Sequence, residues 1–274
     1  MTKHHFSVRN AVVGYGGAPI VKGVDFTVPE GRISVLIGAN ACGKSTLLKA
    51  MARLLKPVSG EITLDHVRLD AVPTRRLARR LGLLPQSPIA PEGIAVSELV
   101  GRGRFPHRNF LQGWTKADYE AVSEAMDAMG VAELADRNVD ELSGGQRQRV
   151  WIAMALAQRT DILLLDEPTT FLDIAHQIEI LDLLTEQNRK RGTTIVMVLH
   201  EVNLAARYAD FLFAMRDGEL VASGTPREIL TEKVVRQIFE LESVVIPDPV
   251  SGAPMMLPCG RFHSRGGSGL FGEP

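Results

Sequence analysis

Short, unbroken apolar runs recur along the chain, and each is followed at once by polar or glycine-rich sequence. Residues 33–37, 81–84, 162–165 and 194–199 are continuously hydrophobic rather than alternating, which predicts strands buried on both faces. Helix-like segments separate them, so the pattern predicts an α/β fold with a mostly parallel core sheet. Ahead of that core, residues 6–30 hold β-like pieces interrupted by Gly14, Gly16, Gly17 and Pro29, which read as an N-terminal antiparallel β layer. Between about residues 88 and 140 the strand signal vanishes. Tyr119, Val122, Met126 and Met129 recur at helical spacing behind a Thr115/Asp118 capping pair, and the stripe reads as core packing. With the helical stretch 147–158 included, this predicts a helical subdomain over about 88–158. The sequence becomes rich in Pro and Gly after about residue 246, and residues 261–274 carry almost no apolar material. The expected organisation is one domain over 1–260 with a flexible C-terminal tail over 261–274.

Charge narrows the partners. With 31 Lys and Arg against 32 Asp and Glu, the net charge is −1, and there is no basic excess of the kind that grips nucleic acid. Two cysteines, Cys42 and Cys259, cannot build a disulfide framework, and residues 1–10 lack the apolar core of a secretory signal, so a reducing cytosol is expected. The longest clean apolar run, 195–199, falls far short of the ~20 residues that span a bilayer. Any membrane role is therefore expected to come through a partner.

Three motifs carry chemistry. Gly38-Ala-Asn-Ala-Cys-Gly-Lys-Ser-Thr46 satisfies G-x-x-x-x-G-K-[ST] between a predicted strand and a predicted helix over 45–55. Backbone N–H groups of such a loop cradle phosphates, Lys44 reaches the β and γ phosphates, and the Ser45 hydroxyl can hold Mg²⁺. Asp161-Ile-Leu-Leu-Leu-Asp-Glu-Pro168 is a buried strand ending in two carboxylates: Asp166 to assist Mg²⁺, Glu167 to polarise an attacking water. Leu142-Ser-Gly-Gly-Gln146 heads a helical stretch about 105 residues after the first motif. Ser143 offers a hydroxyl there, and Gly144 and Gly145 let backbone N–H groups approach an anion. Either the chain has two separate anion pockets, or the second element completes the first site of another copy.

These motifs, with a strand ending at His200, resemble in order and spacing the ATPase subunits of ABC transporters over roughly residues 6–260. The resemblance implies a P-loop ABC-type ATPase working as a head-to-tail homodimer. Each ATP would lie between one subunit's loop, with Gly38, Asn40, Gly43, Lys44, Ser45 and Thr46, and the other's Ser143, Gly144, Gly145 and Gln146. It further implies that Tyr15 stacks on adenine, that Gln86 touches Mg²⁺ or the water and reports to the membrane partner, that His200 contacts the γ-phosphate, and that Asp173 lies in a loop crossing the dimer interface. The metal set is then Ser45, Gln86 and Asp166. Two departures stand out: Ala39 replaces the usual proline, and Ala41 stands where glycine is usual, a cost of about 1 kcal/mol if φ is positive there. Cys42 lies at a helix N-terminus, which favours a thiolate that is reactive when nucleotide is absent; the plainer reading is passive packing.

Finer likeness narrows the branch. Residues 101–108, 140–149, 166–173 and 199–210 resemble the ATPases of ferric-siderophore importers, close to the ferric-enterobactin type, with haem and cobalamin importers as near relatives. The order Thr-Thr-Phe171-Leu-Asp173 is its sharpest pointer. The resemblance implies integral membrane permease subunits, a substrate-binding protein acting through them, and a position on the cytoplasmic face of the membrane. Arg102, Arg104, His107 and Arg108 would receive the permease's coupling loops, whereas Arg75, Arg76, Arg79 and Arg80 read as a solvated helix face. The rival class, a soluble ABC-type ATPase in DNA repair, chromosome organisation or translation, predicts a long coiled coil or tandem cassettes, and neither is visible in the sequence.

Overall fold

The computed structural model describes residues 4–108, 113–170 and 172–260. In chain order, β1 (Phe6–Val13), β2 (Val21–Val28) and β3 (Ile33–Gly38) precede α1 (Lys44–Met51); β4 (Ser59–Leu64) and β5 (Val67–Arg68) lead to α2 (Thr74–Ala78) and β6 (Leu81–Leu84). Three helices follow: α3 (Val96–Gly101), α4 (Lys116–Ala128) and α5 (Gly144–Ala157). Then come β7 (Ile162–Asp166), α6 (Ile174–Arg191), β8 (Thr194–Val198), α7 (Val202–Tyr208), β9 (Phe211–Arg216) and β10 (Glu219–Gly224). The chain ends in α8 (Pro226–Ile229), α9 (Glu232–Phe239) and a hairpin of β11 (Ser243–Pro247) and β12 (Pro254–Pro258).

The core sheet has the order β10-β9-β3-β8-β7-β6. Its pairings are parallel from β9 through to β6, with β10 antiparallel at one edge. The continuous apolar runs are explained by burial on two sides. Ile33, Val35 and Ile37 face the cluster that takes in α3 to α6, whereas Leu36, between them, joins the cluster of α1 and the β layer. Leu163 and Leu165 alternate with Ile162 and Leu164 in the same way. Each such side chain stabilises the fold by roughly 1.5–3 kcal/mol. The carboxyl ends of β3, β7 and β8 therefore sit on a rigid base.

The antiparallel layer has the order β2-β1-β4-β5, so it extends beyond the expected 6–30 segment. Val12 of β1 pairs with Ser59 of β4, which returns to the layer only after α1. In the helical region α3, α4 and α5 pack on one another. Thr115 and Asp118 form the expected capping box. Val122, Met126 and Met129 are buried, but Tyr119 is 62% exposed and lies beside Trp114, so it does not join the core. α5 starts at Gly144 rather than at 147, because Ser143 and Gln146 form a capping box that holds both glycines in the first turn.

The two arginine clusters also differ from expectation. Arg104 is buried, donating to Asp118 Oδ1 at 2.9 Å and to Ala157 O at 2.8 Å. His107 Nε2 lies 2.8 Å from Gln158 O, and the Arg108 guanidinium sits 5.3 Å from the centre of the Trp114 ring. These contacts fasten the loop internally, while Arg102 stays partly exposed beside Glu98. Arg75, Arg76 and Arg79 are exposed as a solvated face requires, although Arg75 and Arg79 also donate to Pro106 O; Arg80 is half-buried and pairs with Asp65. The expected flexible tail, 261–274, lies outside the described residues, as does Phe171.

Candidate nucleotide site

The loop from β3 to α1 is shaped by its backbone. Gly38 is packed so closely on β9 that a Cβ there would stand 2.2 Å from Met215 O, and Gly43, the N-cap of α1, has φ 102°. Ala41 adopts φ 61°, the left-handed region in which a Cβ is strained. The turn after β9 braces the loop, with Gly218 N–H donating to Cys42 O at 3.1 Å.

Lys44, buried within this loop, directs its ammonium to Gly38 O and Ala39 O, both at 2.9 Å. Ser45 Oγ donates to Asp166 Oδ1 at 2.8 Å, linking the loop to the end of β7. Asp166 is buried, and its Oδ2 has no hydrogen-bond partner among the described residues. Burial raises its pKa, helped by the neighbouring Glu167 charge, although Ser45, Lys49 and His200 oppose the shift. A carboxylate so placed, next to a serine hydroxyl, offers hard oxygen donors of the kind Mg²⁺ takes, and the orphaned oxygen gives such a cation a place to bind.

Glu167 is held on three sides. His200 Nε2 lies 2.6 Å from its Oε1, while Gln86 Nε2 and Thr170 Oγ1 donate to Oε2 at 2.7 and 3.0 Å. Its backbone has φ 54°, a conformation that a non-glycine residue keeps only when its surroundings impose it. β6, β7 and β8 thus each deliver one side chain to a single point from the residues just after, or ending, the strand. Thr170 carried no role in the sequence reading, though it lies inside the 166–173 segment.

Asn40, Ala41, Gly43, Lys44, Ser45, Thr46, Gln86, Glu167 and His200, with Ile20, line one open cleft of about 490 Å³. Ile20 gave no signal in the sequence. Tyr15 and residues 143–146 do not line it. Tyr15 is 62% exposed in the bend after β1, so it is not a core residue, and Ser143 is exposed at the head of α5. Ser143 Oγ accepts from Gln146 N–H at 3.3 Å, while Gln146 Oε1 accepts from Ser143 N–H at 3.1 Å.

Cys42 takes the packing role rather than the reactive one. It is buried, and burial pushes its thiol pKa up more strongly than the nearby Lys44 charge pulls it down. The helix terminus does not make it a thiolate. Asp173 caps α6, its Oδ1 accepting from His176 N–H at 3.0 Å. No helix among the described residues is long and apolar enough to cross a membrane.

Residues 21–170 match the model of the ABC transporter family. The chain is 52% identical over 253 residues to the achromobactin transport ATP-binding protein of Dickeya dadantii, covering 92% of this chain and 94% of that one. It is 49% identical over 249 residues to the ferric enterobactin transport ATP-binding protein of Escherichia coli, covering 91% and 92%. Among solved structures, an inward-facing transporter described as of the metal-chelate ABC type superimposes with a TM-score of 0.81 at 29% identity, covering 95% of this chain and 98% of that one.

Proposed function

This chain belongs to the ABC transporter family of ATP-binding proteins, and from that membership we propose that its 38–46 cleft hydrolyses ATP to drive import of a ferric siderophore through separate membrane permease subunits. The observation that carries the reading is the convergence of Lys44, Ser45, Glu167, Gln86 and His200 on one cleft, with Asp166 bonded to Ser45, in a chain about half identical to siderophore-import relatives.

The loop amides and the N-terminus of α1 receive the phosphates, and Lys44 exchanges the carbonyls of Gly38 and Ala39 for the β and γ phosphate oxygens. Ser45, Asp166 and Gln86 hold Mg²⁺. Bound there, Mg²⁺ neutralises charge on the phosphates. Glu167 accepts a proton from the attacking water, and Gln86, Thr170 and His200 aim its two oxygens. His200, partly exposed on the cleft side of Glu167, also reaches the γ-phosphate. Tyr15 stacks on adenine, consistent with a ring left open to solvent.

The cleft is half a site. Ser143 and Gly144 are exposed, and residues 143–146 do not line their own cleft, which favours the composite arrangement over two separate pockets: each copy completes its partner's site. The dimer sits on the cytoplasmic face, attached through the permease, which receives cargo from a substrate-binding protein. Uptake tests the proposal. Cells lacking this chain should fail to grow on a ferric siderophore as sole iron source and recover when it is restored; normal growth, with a defect in haem or cobalamin uptake instead, would move the cargo to those classes.

A further inference from the structure

The first turns of α5 touch the loop after Glu167 at one point and the first turn of α6 at another, within one chain. Gln148 Nε2 donates to Pro168 O at 2.7 Å. More tellingly, the His176 ring lies against Gly145: a Cβ at position 145 would stand 3.1 Å from His176 Cδ2 and 3.5 Å from Cγ and Nε2. One residue earlier, a Cβ at Gly144 would meet nothing within 4 Å. The imidazole therefore crowds position 145, whereas position 144 is open. Asp173 fixes that ring from the other side, with both carboxylate oxygens 2.8 Å from His176 Nδ1. A side-chain contact as exposed as this one adds little to stability, so its effect is expected in the position of the parts it joins.

We propose that His176 is a positioning residue: held by Asp173, it sets the 143–146 turn against the loop following Glu167, and so acts on the ATP held in the partner copy's cleft rather than on that in its own. The proposal rests on the composite-site reading above. Loss of the ring leaves the turn free to tilt, which weakens the grip on ATP equally in ground and transition states and raises KM more than it lowers kcat.

Dimers with one working site separate the two possibilities. Differently tagged copies carrying Lys44→Ala and Ser143→Arg are mixed and the mixed pair is purified; its working site combines the cleft of the Ser143→Arg copy with the turn of the Lys44→Ala copy. His176→Ala added to the Lys44→Ala copy should raise KM for ATP about fivefold, with kcat within about twofold. The same substitution in the Ser143→Arg copy should leave KM within about twofold. Equal effects in both placements, or none in either, would overturn the proposal while leaving composite sites intact. A purified mixed pair with no hydrolysis before His176 is touched would overturn the composite reading and the proposal with it. Unfolding midpoints of the His176→Ala chain should match the parent, and a marked drop would assign His176 to stability instead.

Discussion

Glu167 Oε1 and His200 Nε2 lie 2.6 Å apart, joining the residue after β7 to the second residue after β8, its neighbour in the core sheet. The carboxylate is buried while the imidazole is 41% exposed, so the pair spans the boundary between protein interior and cleft. Replacing Glu167 by Gln keeps the shape of this contact and removes the proton acceptor. Hydrolysis should fall by about 10²- to 10⁴-fold. ATP should still bind and draw two copies together, so sizing chromatography with Mg-ATP should show a dimer. A variant that hydrolyses normally would remove Glu167 from the mechanism.

Ala41 holds φ 61° at the mouth of the loop. Ala41→Gly relieves that strain but loosens the unfolded chain, for a net stabilisation of about 0.5–1 kcal/mol. The urea midpoint should rise, and ATP affinity should be equal or tighter. A lower midpoint would mean that the loop is not strained at this position.

Asp118 carries a pH signature. Burial pushes its carboxyl up, but the Thr115 hydroxyl and Arg104 guanidinium outweigh that and hold it at about 2, against an ordinary value of 3.8. A folded-state pKa below the unfolded one gives stability that is complete above about pH 4 and lost as pH falls toward 2, worth about 2 kcal/mol. Asp118→Asn should be destabilised at pH 7 by at least that amount, since it also leaves Arg104 buried without its counter-charge. Its disadvantage should shrink below pH 4, and a gap independent of pH would refute the ion-pair account.

Cys42 should react slowly. Its thiol is buried and its pKa lies above the ordinary 9.0, whereas Cys259 is only half-buried. Alkylation at pH 8 followed by peptide mass spectrometry should label Cys259 first. Faster labelling of Cys42 would restore the thiolate reading.

Much of this site is written in contiguous residues. The loop, the carboxylate pair and His200 each follow a strand that is buried on both faces, and such strands betray themselves by unbroken hydrophobicity. The less visible features depend on distant partners. Two-residue β5 has too little pattern to read, and β4 joins β1 only because the chain returns after α1. Cys42 looked activated because a helix terminus is local information, while the burial that cancels it is assembled from other elements. Arg104 looked like part of a basic surface until α4 brought Asp118 to it. Thr170, sitting within a recognised segment, acquires a task only when the turn after β7 brings its hydroxyl to Glu167.

The hairpin of β11 and β12 sets how much chain the site requires. Asn203 of α7 donates to Met256 O at 3.1 Å and accepts from Met256 N–H at 2.8 Å, and Arg207 pairs with Asp248 at 2.6 Å. α7 begins two residues after His200. A truncation at about residue 240 would keep every phosphate-handling residue yet strip α7 of these braces, on the helix that begins just after His200. The shortest chain carrying all the motifs is thus shorter than the chain that braces the helix following them.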